Sequence, residues 1–434
     1  MTDAALPIPA AGAAKDLRAA VQARLKARQA QETRFKLYGR LAIILALGFL
    51  VVLLGRVVLQ GYSTFIDYRM SVPVYIDPAH VDRGDIASAN FDMLVADAVL
   101  AKLGEKDDEV GETSGQVMEL LSNDLGFQLL AKVRADPSLI GKTITVEGPL
   151  RADAALYFKG EIKRATAQDD RKLDDRQLAW LDRINKLGMV SSGFNIGFLT
   201  RSDSTEPEQA GVLGAVVGSA LMLLVTAVLA VPIGVLAAVY LEEFAPKNRW
   251  TDVIEVNINN LAAVPSIVYG LLGLAVFINW LHVPRSSPLL GGLVLALMAL
   301  PTVIIATRAA LKAVPPSIRE AALGVGASKT QTVFHHVLPL AMPGVMTGAI
   351  LSLAHALGET APLLMIGMVS FVPGVPAAIT EAATVLPVQV FIWENASERA
   401  FHERTAGAII VLLVFMIVMN LAAILLRRRF ERRW

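Results

Sequence analysis

The residues whose types and spacing invite chemistry lie in the last half of the 434-residue chain. Ser352, His355 and Glu359 recur at helical spacing in an otherwise apolar stretch, which puts a hydroxyl, an imidazole and a carboxylate on one face. A charged group at the centre of a membrane helix costs about 2.5–3.5 kcal/mol to insert, so such groups turn toward a bundle interior and mark a path for polar solutes. Thr360 follows, and Pro362 removes a backbone donor, which predicts a kink whose freed carbonyls line a cavity. Two readings of Glu359 stand: it pairs with an arginine, from this chain or a partner, or it is a hydrogen bonder between helices. Pro265 and Ser266 interrupt another apolar stretch and predict a second break, near mid-span, where a site can sit. Asn257, Asn259 and Asn260 precede that break; they either cap and bond neighbouring backbone or contact a partner. Arg308 and Arg56, near the ends of apolar stretches, read as snorkelling side chains, with a ligand role for Arg308 as the alternative.

Other chemistry is excluded. With no cysteine there is no disulfide, thiolate metal site or thiol nucleophile. The six histidines are scattered apart from His335–His336, and no HExxH pattern occurs, so no metal site is expected. Gly141-Lys142-Thr143 mimics the end of a phosphate-binding loop, but Asp136 stands where the loop needs its first glycine. Gly324-Val325-Gly326 opens a GxGxxG that Lys329 breaks, and it reads as a sharp turn. Neither a nucleophile–base pair nor a cofactor site emerges, so an enzyme is not expected, and any ATP and Mg chemistry must belong to a partner.

The elements that position these residues are apolar. The chain is 54% hydrophobic with a mean hydropathy of +0.52, too apolar for an ordinary soluble domain. Six segments approach the roughly 20 residues a spanning helix needs: 38–60, 211–237, 258–281, 289–311, 341–370 and 406–426. The first follows a charged tail, no A-x-A cleavage site comes after it, and it is read as an uncleaved anchor. The tails and the loops 241–256 and 312–340 together carry 18 basic and 9 acidic residues, which places both termini in the cytoplasm. Loop 241–256 is the exception, with two basic and four acidic residues. The expected organisation is a cytoplasmic tail 1–37, an anchor 38–61, an extracytoplasmic domain 62–205, a helical core 206–428 and a short tail 429–434. The outer segment holds 23 acidic and 17 basic residues and reads as mixed α+β. Helices are expected over 93–103 and 116–133, strands or a hairpin over 142–150 and 155–162, and loops over 104–115 and 201–210.

Loop 312–340 holds the most specific pattern. Small residues at 321, 322, 324, 326 and 327 predict two short helices joined by a tight turn, with Ser328 capping a second helix over about 329–337 and Pro339 and Pro343 ending it. Glu320-Ala321-Ala322, three residues, Gly326, nine residues, then His336, Val337, Leu338 and Pro339 resemble the EAA motif of ABC-importer permeases, with His336 in place of an aliphatic residue. The resemblance implies that Glu320, Ala321, Ala322, Gly326, Leu338 and Pro339 couple the chain to an ATPase subunit. Leu241-Glu242-Glu243-Phe244-Ala245-Pro246, the run from Asn257 to Gly270, and Ala356-Leu357-Gly358-Glu359-Thr360-Ala361-Pro362 resemble the PstA-type permease subunits of phosphate importers, over roughly 206–430. That resemblance implies an all-α permease core of the type I importer fold with six spans, interrupted by the outer α+β insertion. It implies as partners a second homologous permease, two ATP-binding subunits, an extracytoplasmic phosphate-binding protein, phosphate and membrane lipid, with no nucleic acid, in a bacterial inner membrane. Relatives often carry arginine where this chain has His355 and Ile305. A neutral His355 still donates a hydrogen bond to an anion, whereas an ionised Glu359 repels one. Another oxyanion as cargo, sulfate or molybdate, or a sensor role built on the outer domain, are the competing readings.

Overall fold

The computed structural model describes residues 11–105, 112–167 and 171–430. The chain divides into two compact units, 1–59 and 60–434. The first consists of helix α1, Ala11–Gly61, whose last two residues enter the second unit. Residues 28–65 are long and apolar enough to cross a membrane, as the 38–60 expectation requires.

The second unit opens with a three-stranded antiparallel sheet, order β2-β1-β3: β1 Ile66–Tyr75, β2 Thr143–Pro149 and β3 Val190–Phe194. The register sets Val72 opposite Val146 and Met70 opposite Val190. Pro73 is tolerated in the central strand because β3 pairs only with 66–70, so the side on which Ser71 donates to Met189 O holds no further strand at Pro73. Helices α2 (Phe91–Leu103), α3 (Glu112–Met118), α4 (Asp124–Ala135), α5 (Ala152–Phe158), α6 (Asp175–Lys186) and α7 (Ile196–Thr200) fill this region. Their apolar stripes bury Val95, Val99, Leu125, Leu129, Leu178 and Leu181 with Met70, Val72, Val74 and Val146 of the sheet.

Three expectations need correction here. The run 155–162 forms no strand: α5 covers its first half, with Ala152 and Leu156 at helical spacing packed with Ala400, and the rest is turn. The run 116–133 is two helices, parted where Leu121 bridges to Leu150. The run 104–115 already contains the start of α3, with 106–111 outside the described residues.

The remaining helices are α8 Leu213–Val239, α9 Arg249–Ala262, α10 Ser266–Leu272, α11 Pro288–Lys312, α12 Pro316–Gly324, α13 Lys329–Gln331, α14 Leu338–Gly358, α15 Ala361–Met365, α16 Leu386–Glu394 and α17 Arg399–Phe430. Small residues let backbones meet. A Cβ on Gly292 would lie 2.5 Å from Val225 of α8, and one on Gly348 would collide with Ala306 of α11.

Among the described residues five helices are long and apolar enough to span, or six if a bent pair counts as one. That pair corrects the third expected span. In place of a helix over 258–281, α9 and the helix from Ser266 to Ile278 meet at 103°. Pro265 is extended there, φ −57° and ψ 138°, because it cannot continue the preceding helix. The fifth span is shifted as well. It begins at Lys329 and stops at Gly358, so Glu359 (φ −80°, ψ 120°) caps a helix end and does not lie inside a helix.

Candidate functional site

Loop 312–340 is built by local chemistry. Pro315 and Pro316 start α12, where proline's missing donor is one of the helix's orphans anyway. On α12 Ala322 is buried at 6% exposure, while Glu320 and Ala321 face outward. Gly326 takes φ +90°, a conformation that favours glycine, and reverses the chain. Ser328 Oγ accepts from Gln331 N at 3.2 Å while Gln331 Oε1 accepts from Ser328 N at 2.9 Å, a complete capping box. Beyond it the helix does not stop at Pro339. A widened π-turn over Thr332–Val337 takes the chain straight into α14, at the place where proline would break a regular turn. Leu338 and Pro339 are half-buried at that junction. The result is a projecting helical knob with Leu323 51%, Val325 85% and Phe334 42% exposed. Behind it a cleft of about 690 Å³ runs between Val314, Ile318, His335, His336 and Pro339, so His336 lines a cleft where the motif has an aliphatic residue.

The base of the knob is ionic. Arg308 Nη2 donates to Glu255 Oε1 at 2.6 Å and its Nε to Glu242 Oε2 at 3.3 Å, and Lys312 lies 3.6 Å from Glu242. Arg308 is 14% exposed at its side chain, held between α9 and the end of α8 by these pairs. Arg319 Nη2 donates to Glu243 Oε1 at 2.5 Å, and its Nε meets both carboxylate oxygens at 3.2 Å. The sequence does not single out these pairs, but it carries a trace of them. Loop 241–256 is acidic where basic residues are expected, and Glu242, Glu243 and Glu255 are the acids that Arg308, Lys312 and Arg319 neutralise.

The second set of residues is only partly brought together. Ser352 is 3% exposed and donates to Ala299 O of α11 at 3.1 Å, whereas His355, three residues on, is exposed. His355 Nε2 lies 3.3 Å from Glu359 Oε1, one helical turn on. Thr360 is half-buried, and its carbonyl accepts from Leu363 and Leu364 to start α15. Pro362 consequently begins a short helix and does not kink a long one. The α10 segment packs on α15, with a Gly270 Cβ position 2.7 Å from Pro362 O, so the segments following both breaks are neighbours. Ser266 opens α10 and Pro265 is its exposed N-cap. Asn257 Nδ2 donates to Val253 O within its own helix, and Asn260 is exposed on α9.

Comparison with known proteins separates two regions. The family described as binding-protein-dependent transport system inner membrane component matches residues 230–434, and a domain of unknown function (DUF3333) matches residues 22–168. The phosphate transport system permease protein PstA 1 of Mycobacterium tuberculosis is 36% identical over 229 residues, covering 52% of this chain and 74% of that protein. The probable ABC transporter permease protein YqgI of Bacillus subtilis is 31% identical over 248 residues, covering 54% and 83%. Among solved structures, a chain of the inward facing MetNI methionine ABC transporter covers 50% of this chain and 95% of its own at 17% identity and a TM-score of 0.43, too low to define the fold.

Proposed function

We propose, from the premise that this chain belongs to the PstA-type family of binding-protein-dependent ABC-transporter permeases, that it is the permease subunit of an ATP-driven inorganic phosphate importer. The chain forms the translocation path with a second homologous permease and docks two ATP-binding subunits, which hold the ATP and Mg. An extracytoplasmic binding protein delivers the phosphate. The protein lies in a bacterial inner membrane with both termini in the cytoplasm and region 62–205 outside.

The observation that carries this reading is the knob. Glu320 stands exposed on α12, the chain reverses at left-handed Gly326, and apolar Leu323 and Val325 project beside them. An exposed apolar tip with one carboxylate, tied to the end of α8 by the Arg319–Glu243 ion pair, suits a lever moved by a partner. The path is assigned to the breaks at Pro265–Ser266 and Glu359–Thr360, where interrupted helices offer backbone groups to a solute. His355 donates to the anion there, and Glu359 orients His355. Phosphate as cargo follows from the relatives that carry that name.

The test is uptake of labelled phosphate by vesicles containing the reconstituted complex with and without this chain, with sulfate and molybdate as competitors. ATP-dependent uptake that needs the chain and yields only to phosphate is the expected result. Uptake unchanged without the chain removes the transport reading, and competition by sulfate or molybdate reassigns the cargo.

A further inference from the structure

The knob needs a rigid connection to the spans if it is to move them, and on the α11 side its backbone is a poor one. The connection from α11 to α12 is Ala313-Val314-Pro315, and the far side turns at Gly326, which has open space around it. Beside the apolar packing of Ile318 on the cluster that holds Leu311 and Val314, one side chain adds polar bonds across the gap. Arg319, on the buried side of α12, donates to Glu243 through Nε and Nη2. Its Nη1 donates to Val314 O at 2.8 Å and its Nη2 to Leu311 O at 3.0 Å. Leu311 O lies in the last turn of α11 and also accepts from Val314 N at 3.2 Å, and Val314 O lies just beyond the end of that helix. Glu243 lies in the π-turn that ends α8, and its side chain is 8% exposed. A single planar guanidinium therefore joins α12, the end of α8 and the end of α11, a geometry that an ammonium group cannot reproduce.

We infer that Arg319 and Glu243 are positioning residues for coupling: they clamp the knob to α8 and α11 so that displacement of α12 is passed to those two helices as one body. This rests on the proposed coupling role of the knob and names the part that transmits its movement. Glu320, one residue away, points outward and takes no part in the clamp.

The clamp is tested in the full reconstituted complex with Arg319→Lys and Glu243→Gln. Both are expected to copurify with the ATPase subunit at wild-type yield and to keep ATP hydrolysis within about two-fold, while phosphate moved per ATP falls about ten-fold or more, as befits loss of charge-assisted bonds. Proportional loss of hydrolysis and uptake, or no change in the ratio, overturns the inference. A second arm uses the absence of native cysteine. With Arg319→Cys and Glu243→Cys, bridging the two thiols with a short bifunctional reagent is expected to restore the uptake-to-hydrolysis ratio. A bridged protein as uncoupled as the unbridged one shows that joining the two elements does not carry the coupling, and overturns the inference. Glu320→Ala is the control for the parent reading. If it leaves coupling intact, the knob is not the lever; if it uncouples while the clamp variants do not, only the clamp is wrong.

Discussion

The Lys159 ammonium lies 2.6 Å from the Glu403 carboxylate, with side-chain exposures of only 6% and 11%. The pair joins the α+β region to α17, and Thr64 Oγ1 reinforces it by donating to Glu403 O at 2.6 Å. Burial holds the Lys159 pKa below its ordinary value despite the attraction of Glu403. Removing one partner leaves the other charge buried and unpaired, which costs about 3–5 kcal/mol. Glu403→Leu and Lys159→Met are each expected to lower the unfolding temperature of the purified protein and to expose the α+β region to protease. The double variant is expected to recover most of the loss. A double variant as unstable as the sum of the singles contradicts this account.

Two further carboxyls at the same junction predict a pH effect. Burial, the largest cause, holds Asp203 above its ordinary 3.8 against the hydrogen bond from Trp393, and Glu208 above its ordinary 4.5. Folded pKa values above unfolded ones mean that the folded state binds the proton more tightly. The linked stabilisation is therefore complete below the unfolded values and is lost as pH rises through the folded ones. Glu208→Gln keeps an acceptor for Ala152 N, which now lies 3.2 Å from Glu208 Oε2. It is expected to be more stable than the parent at about pH 8 and to lose that advantage toward pH 4–5, as linkage requires. Melting curves across this range check it; an advantage independent of pH means that the carboxyl is not the cause.

Gly326→Ala introduces a side chain at φ +90°, with nothing within 4 Å of the new Cβ. Its cost is conformational alone, about 1–2 kcal/mol, and confined to the turn. Normal yield with reduced uptake is expected. Gly218→Ala is the contrast, because its Cβ would collide with Thr384 O. Poor yield of folded protein is expected there, measured by size-exclusion chromatography in detergent.

Arg308→Leu strands Glu255 and leaves Glu242 to Lys312. Loss of hydrogen bonds to charged groups predicts a destabilisation of about 1.5–3 kcal/mol, partly restored by Glu255→Gln. A snorkelling arginine would instead be nearly neutral to the same change, so thermal unfolding distinguishes the two.

Local patterns of hydropathy and turn chemistry make much of this protein legible in its sequence. Apolar runs locate α1, α8, α11 and α17 to within a few residues, except at the polar ends of α1 and α17, because burial of a span is decided along its own length. The Gly326 turn and the Ser328 cap are equally readable, since each depends on only a few consecutive residues. Tertiary structure decides what distance along the chain conceals. Whether Pro265 interrupts a helix gently or turns it through 103° depends on the elements it packs against. The start of 155–162 is helical, and its Leu156 packs with Ala400, 244 residues away. Arg319 is 76 residues from Glu243, and Arg308 is 53 from Glu255. Opposite charges at such separations carry no mutual signal in a linear pattern, and only the packing of α8, α9, α11 and α12 selects which of them meet.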